Sequence, residues 1–181
     1  MSLTMKEKIL QAAEHRVRGA GFAEMSFRDL ANDVGIKSAS VHYHFPTKPD
    51  LGEALVTRYA EQFEAELEKL DQNDLHGALS GFVALYANAL VLNESICLCA
   101  IMGAEAIGLP EKVNQRTKAF FAMNRDWLST LFTRHGLGQG EEKAALIVAA
   151  LEGSMIISSA SNDRALFEGV AKAVMASISD N

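Results

Sequence analysis

Apolar residues in this chain recur at intervals of three and four rather than two, and proline, which would interrupt such a pattern, stands only at positions 46, 49 and 110. A period near 3.6 with almost no alternation is the signature of helices, so the expected fold is all-α. The pattern resolves into about nine helices. Thr4 with Glu7 forms a capping box ahead of an apolar stripe of Met5, Ile9, Ala12, Ala13, Val17 and Ala20, closed by Gly19 and Gly21. Ser26 with Asp29 repeats the arrangement before Phe27, Leu30, Ala31 and Val34, and Gly35 stops that short helix. Ser38 is expected to cap an equally short third helix running to His44. Thr47 and Asp50 open a fourth, with Pro49 tolerated in its first turn and a stripe of Leu51, Leu55, Tyr59, Phe63, Leu67 and Leu70. The remaining helices are expected at about 75–92, 98–107, from the Gly108 and Pro110 break to 134, then 141–160 and 164–178 beyond the glycine-rich loop at 136–140.

Composition narrows the class. Of 181 residues, 49% are hydrophobic and 22% charged, enough apolar surface for a core. Uninterrupted apolar runs fall short of the ~18 residues of a membrane span, and residues 1–30 lack a signal-peptide pattern, so a cytoplasmic protein without membrane contact is expected. Two cysteines, Cys97 and Cys99, exclude a disulfide framework. The net charge of −6 argues against indiscriminate coating of nucleic acid, yet it is unevenly spread: residues 1–50 carry +1 and residues 51–181 carry −7. Any part that approaches a phosphate backbone is the first.

Two short capped helices joined at Gly35 meet the requirements of a helix-turn-helix, because glycine turns the chain sharply and Ala31 lets the helices approach. Leu30, Ala31, Val34, Ile36, Val41 and Phe45 can close a small core, leaving Lys37, Ser38, Ala39, Ser40 and His42 outward. Short polar side chains at the start of a second helix suit base edges in a major groove. On the pattern alone, a plain helical hairpin is an equal alternative.

The run GIKSASVHYHFPTKPDL from Gly35 to Leu51 resembles the recognition-helix segment of tetracycline-repressor (TetR) family regulators. The resemblance extends from about Ile9 to Leu55 and includes Gly21 and Phe22, Ser26, the turn glycine and the Tyr-His-Phe-Pro-Thr-Lys run at 43–48. It implies a helix-turn-helix domain at 1–47 followed by an effector-binding and dimerisation domain at 48–181. It further implies that Ser38, Ala39 and Ser40 face bases while Ser26, His42, Tyr43 and Lys48 engage phosphates, with Lys37 beside them. The family usually has Tyr where this chain has His42, so the resemblance leaves open whether His42 or Tyr43 touches DNA. The partners implied are a palindromic double-stranded operator, a small-molecule effector and a second copy of the chain.

Tyr86, Met102, Phe120, Met123 and Trp127 belong to a set of aromatic and methionine side chains suited to an adaptable apolar pocket, or equally to an ordinary core. Apolar stripes at Ala144, Ala145, Ile147, Val148, Leu151, Ile156, Ser159 and Ala160, and at Leu166, Val170, Ala173, Val174 and Ile178, can form half of a four-helix bundle across a two-fold axis. The segment SICLCAIMGAEAIGLPEKV resembles the sensor segment of a branch of the family that responds to electrophiles or oxidants through a cysteine at the position of Cys97. The start of the sixth helix would favour a Cys97 thiolate and Glu94 would oppose it; two inert buried thiols are the alternative.

Enzyme and cofactor motifs are not found. Gly136, Gly138 and Gly140 miss the dinucleotide fingerprint, and His42 with His44, two apart on a helix, point to nearly opposite faces and cannot chelate a metal together. The expectation is therefore a non-enzymatic, effector-released repressor without cofactor or metal. A helical small-molecule or protein-binding module without DNA activity is the alternative.

Overall fold

A computed structural model describes residues 3–92 and 96–178, with the side chains of Val91 and Leu92 left aside. The described residues form nine α-helices and no strand: α1 Met5–Ala20, α2 Phe27–Val34, α3 Ser38–His44, α4 Lys48–Leu67, α5 Leu75–Leu92, α6 Leu98–Ala104, α7 Glu111–Arg134, α8 Gly140–Ser161 and α9 Arg164–Ala176. They group into two compact units, residues 1–61 with 98–118, and residues 62–97 with 119–181. The division expected after residue 47 is one of role; compactness joins α6 and the start of α7 to the helix-turn-helix.

In unit 1 the first three helices begin and end where local chemistry requires. The Glu7 N–H donates to Thr4 Oγ1 at 3.2 Å, and Gly21 closes α1 with φ 87°. Ile9, Leu10, Ala13 and Val17 of α1 are buried, as are Leu30, Ala31, Val41, Phe45, Leu51 and Leu55, whereas Val34 and Ile36 are only half-buried. At Gly52 in α4 a Cβ would lie 2.6 Å from the Phe22 ring and 2.9 Å from Val113 Cγ2, so the absent side chain permits close approach. The sixth helix stops at Ala104, short of the expected 107, because residues 105–108 turn back through bonds such as the Gly108 N–H to the Glu105 carbonyl at 2.9 Å.

In unit 2, α8 packs along α9 and α5 touches both. One expectation changes here in part. Of the two expected stripes, Ile156, Ser159 and Ala160 of α8 and Ala173 of α9 are exposed, but Ala144, Ile147, Val148 and Leu151 of α8 and Val174 of α9 are buried within the unit and so do not form an outward dimer face. The exposed apolar stripe is completed by Leu146, Ala149 and Ile157 with half-buried Gly153 among them, and on α9 by Ala165, Gly169 and Ala176. α8 is long and apolar enough by length and composition to cross a membrane, although its apolar run is interrupted at Glu152, and one of its faces packs into the unit as that of a core helix does.

Candidate nucleic-acid interface and sensor core

The helix-turn-helix is built by caps. The Asp29 N–H donates to Ser26 Oγ at 3.2 Å, and the Ser26 hydroxyl lies 2.5 Å from Asp29 Oδ2. Gly35 takes the left-handed conformation, φ 73° and ψ 36°, and the Ile36 N–H donates to the Ala31 carbonyl at 2.9 Å. The third helix departs from expectation: its N-cap is Lys37, without a side-chain bond, and Ser38 is its first residue. The reason is positional, since a cap must precede the first helical turn. Lys37, Ser38, Ala39, His42 and Tyr43 are exposed, and Ser40 and Ser26 half-buried.

His42 and Tyr43 differ sharply. The His42 ring lies edge-on to Phe27 at 4.6 Å with Nδ1 at 3.4 Å from the Pro46 carbonyl, which ties it to neighbouring backbone. Tyr43 is 84% exposed, its ring meeting His44 at 5.2 Å. Lys48 is not a free cation: Nζ donates to the Ala23 carbonyl at 2.7 Å and sits 4.9 Å from the centre of the Phe22 ring. Burial lowers its pKa, opposed by the charges of Glu105 and Glu24.

Glu105 was not singled out by the sequence for any role. Its carboxylate accepts the Phe22 N–H at 3.1 Å on each oxygen and the Ala23 N–H at 3.2 Å. The signal was Gly21, where a Cβ would run into Glu105 Oε1, but nothing local connects residues more than eighty apart. Charge pairs join the surrounding helices: Arg58 bonds Glu7 at 2.9 Å and Glu14 at 3.0 Å, Arg16 pairs with Asp33, and Lys112 pairs with Asp50. The fourth helix opens with the expected reciprocal cap, the Thr47 N–H donating to Asp50 Oδ2 at 2.9 Å and the Asp50 N–H to Thr47 Oγ1 at 3.3 Å.

The residues expected around an effector divide. Met102 is buried on α6 in unit 1, while Tyr86, Cys97, Phe120, Met123 and Trp127 belong to unit 2. In unit 2, Phe63 is a hub, edge-on to Tyr86 at 5.5 Å, to Phe120 at 5.3 Å and to Phe82 at 6.4 Å, and Trp127 stacks on Phe82 at 5.5 Å. Tyr86 donates its hydroxyl to Asn124 Oδ1 at 3.4 Å, and Asn124 Nδ2 donates to the Phe120 carbonyl at 2.8 Å. Phe82 belongs to the set of apolar side chains expected there, and Phe63 and Asn124 complete the cluster without having been assigned to it from sequence. Met123 and Trp127 are half-buried at its edge.

Cys97 and Cys99 are both buried and are not joined in a disulfide. Glu94, expected to oppose a Cys97 thiolate, lies outside the described residues. Another carboxyl lies beside Cys97: Glu152 of α8, 8% exposed. Burial raises its pKa well above the usual carboxylate range, and Cys97 beside it pushes the same way.

Comparison with known proteins places this arrangement. Residues 9–55 match the model of the bacterial regulatory proteins of the tetR family, and residues 76–173 that of the C-terminal domain of LmrA/YxaF-like transcriptional regulators. A TetR transcriptional regulator from Legionella pneumophila is 27% identical, with a TM-score of 0.91 over 96% of this chain and 97% of that one. A TetR-family regulator from Agrobacterium tumefaciens is 29% identical, with a TM-score of 0.88 over 94% and 95%. Among curated relatives, the nucleoid occlusion factor SlmA of Marinobacter nauticus is 27% identical over 143 residues, 78% of this chain and 70% of that protein. The chain belongs to the TetR family of DNA-binding transcriptional regulators.

Proposed function

We propose that this protein is a cytoplasmic, non-enzymatic homodimeric repressor that reads a palindromic operator through α3 and releases it when a small electrophile or oxidant modifies Cys97. One observation carries the DNA reading: α3 presents Lys37, Ser38, Ala39 and Tyr43 to solvent while its other side closes on the buried Val41 and Phe45. Short side chains there admit base edges, and the exposure of Tyr43 against the tethering of His42 supports Tyr43 as the phosphate contact. A two-fold operator requires a second copy. The exposed stripes of α8 and α9 supply an apolar surface for it. The packed cluster around Phe63 supports an effector site only if its side chains repack, as aromatic and methionine groups can.

The test is binding to a duplex carrying the DNA upstream of the protein's own gene. Affinity should fall steeply between low and moderate salt, as a few neutralised phosphates per subunit require. Ser40→Ala should change which operator bases are tolerated, costing roughly 1 to 3 kcal/mol if a good base contact is lost. N-ethylmaleimide should release wild type and Cys99→Ser but not Cys97→Ser. Equal release of all three removes the cysteine and leaves the DNA reading intact; no salt-dependent binding at all removes the DNA reading.

A further inference from the structure

The turn between α1 and α2 is held from outside the helix-turn-helix. Phe22 and Ala23 follow the end of α1, so their N–H groups have no helical acceptor; both donate to the single carboxylate of Glu105. Gly21, at φ 87°, leaves room for that carboxylate. On the other side of the same residue, the Ala23 carbonyl accepts from Lys48 Nζ at 2.7 Å. Ala23 is thus gripped at both its N–H and its C=O by opposite charges, and the Phe22 ring next to it is seated against Gly52. Three residues further on, Ser26 caps α2.

We infer that Glu105 is the positioning residue of the DNA-reading helices: it fixes the 21–23 turn, and through it the direction in which α2 and α3 leave α1, with Lys48 as the opposing jaw of one clasp rather than a free phosphate ligand. The inference rests on the DNA-reading function proposed above. Bonds from N–H groups to a carboxylate are among the stronger ones, and they weaken steeply once donor and acceptor part. A clasp of this kind is therefore closed or open rather than graded. Glu105 stands at the far end of α6, whose seven residues span about 10 Å, and α6 begins one residue after Cys97. A displacement of α6 along its axis reaches the turn through this carboxylate.

Full-length protein with Glu105→Ala, Glu105→Gln, Gly21→Ala and the Gly21→Ala/Glu105→Ala pair is compared with wild type in two measurements, well below the melting temperature. Amide hydrogen exchange at Phe22 and Ala23 should speed up about tenfold or more in each single variant, and the loss of protection should extend into α2 and α3. Affinity for the upstream duplex should fall about tenfold, and the double variant should be little worse than either single one, because both open the same clasp. Gln keeps the size of Glu but presents an amide to N–H donors, so it covers the case in which the alanine variant does not fold. Lower melting temperatures with affinity within twofold of wild type overturn the inference, as does strict additivity. Where wild type does not bind the duplex, the DNA reading fails on its own and the exchange decides: lost protection confined to Phe22 and Ala23 overturns the clasp, and lost protection running through α3 sustains it.

Discussion

The two units are held together by different kinds of force. The ion pairs described above that join different helices, Arg58 with Glu7 and Glu14, Arg16 with Asp33 and Lys112 with Asp50, all lie in unit 1, as does a further pair of Arg116 with Glu53. So do the Glu105 bonds to the α1–α2 turn. Unit 2 is organised around aromatic rings meeting edge to face at Phe63, with the Tyr86 hydroxyl as a polar link inside the cluster. Directional bonds fix angles and fail abruptly; ring packing is tolerant of direction and yields by rearranging. On the proposed function, the part that presents a helix to DNA at one angle benefits from the first, and the part that admits a variable molecule from the second.

Removing the hub of the second unit should have the largest effect. Phe63→Ala deletes a buried ring with three aromatic neighbours and should cost about 3 to 5 kcal/mol in chemical unfolding; a loss below about 1 kcal/mol would mean that the cluster is already loose, and the contrast between the units would go with it. Next, Ile157→Asp places a charge on the outward stripe of α8, where Ile157 is 53% exposed. If that stripe is the dimer face, light scattering should report a monomer and operator affinity should collapse, because desolvating an unpaired carboxylate costs several kcal/mol. A dimer that survives moves the interface elsewhere.

Smaller and opposite in sign is Glu152→Gln. A buried carboxyl held above its ordinary pKa favours folding only while the unfolded chain is also protonated, so wild-type stability declines as pH rises above about 4.5. The glutamine variant should lack that decline and be more stable by about 0.5 to 2 kcal/mol near neutral pH. Parallel pH profiles for the two proteins would place Glu152 in water rather than in the core. The smallest change is expected for Asp50→Asn. Hydrogen bonds from Lys112 and Thr47 hold Asp50 below the usual carboxylate range, so its contribution is present above pH 3.8 and lost as pH falls through the lowered value. Because the pair is about one-third exposed and so screened by water, the melting temperature at pH 7 should barely move, and any difference should vanish under strong acid.

What the sequence revealed follows from how far each interaction reaches along the chain. The caps at Thr4, Ser26 and Thr47 and the turn at Gly35 are decided within four residues, and the structure has each of them. The Glu105 clasp and the Cys97–Glu152 neighbourhood join residues more than fifty positions apart, and no local pattern announces them. The face of α8 was misread for a different reason. A helix apolar nearly all round has no polar side to set its phase, so periodicity could not separate the inward Leu151 from the outward Leu146. The rings of Tyr86 and Phe120 were legible as apolar, but whether they pack on one another or on a guest is not written in spacing.

The burial of Glu152 has a consequence for heat and protons during folding. Between the ordinary carboxylate pKa of about 4.5 and its raised value in the fold, the unfolded chain carries this side chain as the anion more often than the folded chain does, so the protein takes up a fraction of a proton from its surroundings in order to fold. In calorimetry that proton comes from the buffer. The measured unfolding enthalpy should therefore differ between phosphate and Tris by the difference in their heats of ionisation, in proportion to the fraction of a proton exchanged, and the difference should disappear when the side chain is glutamine.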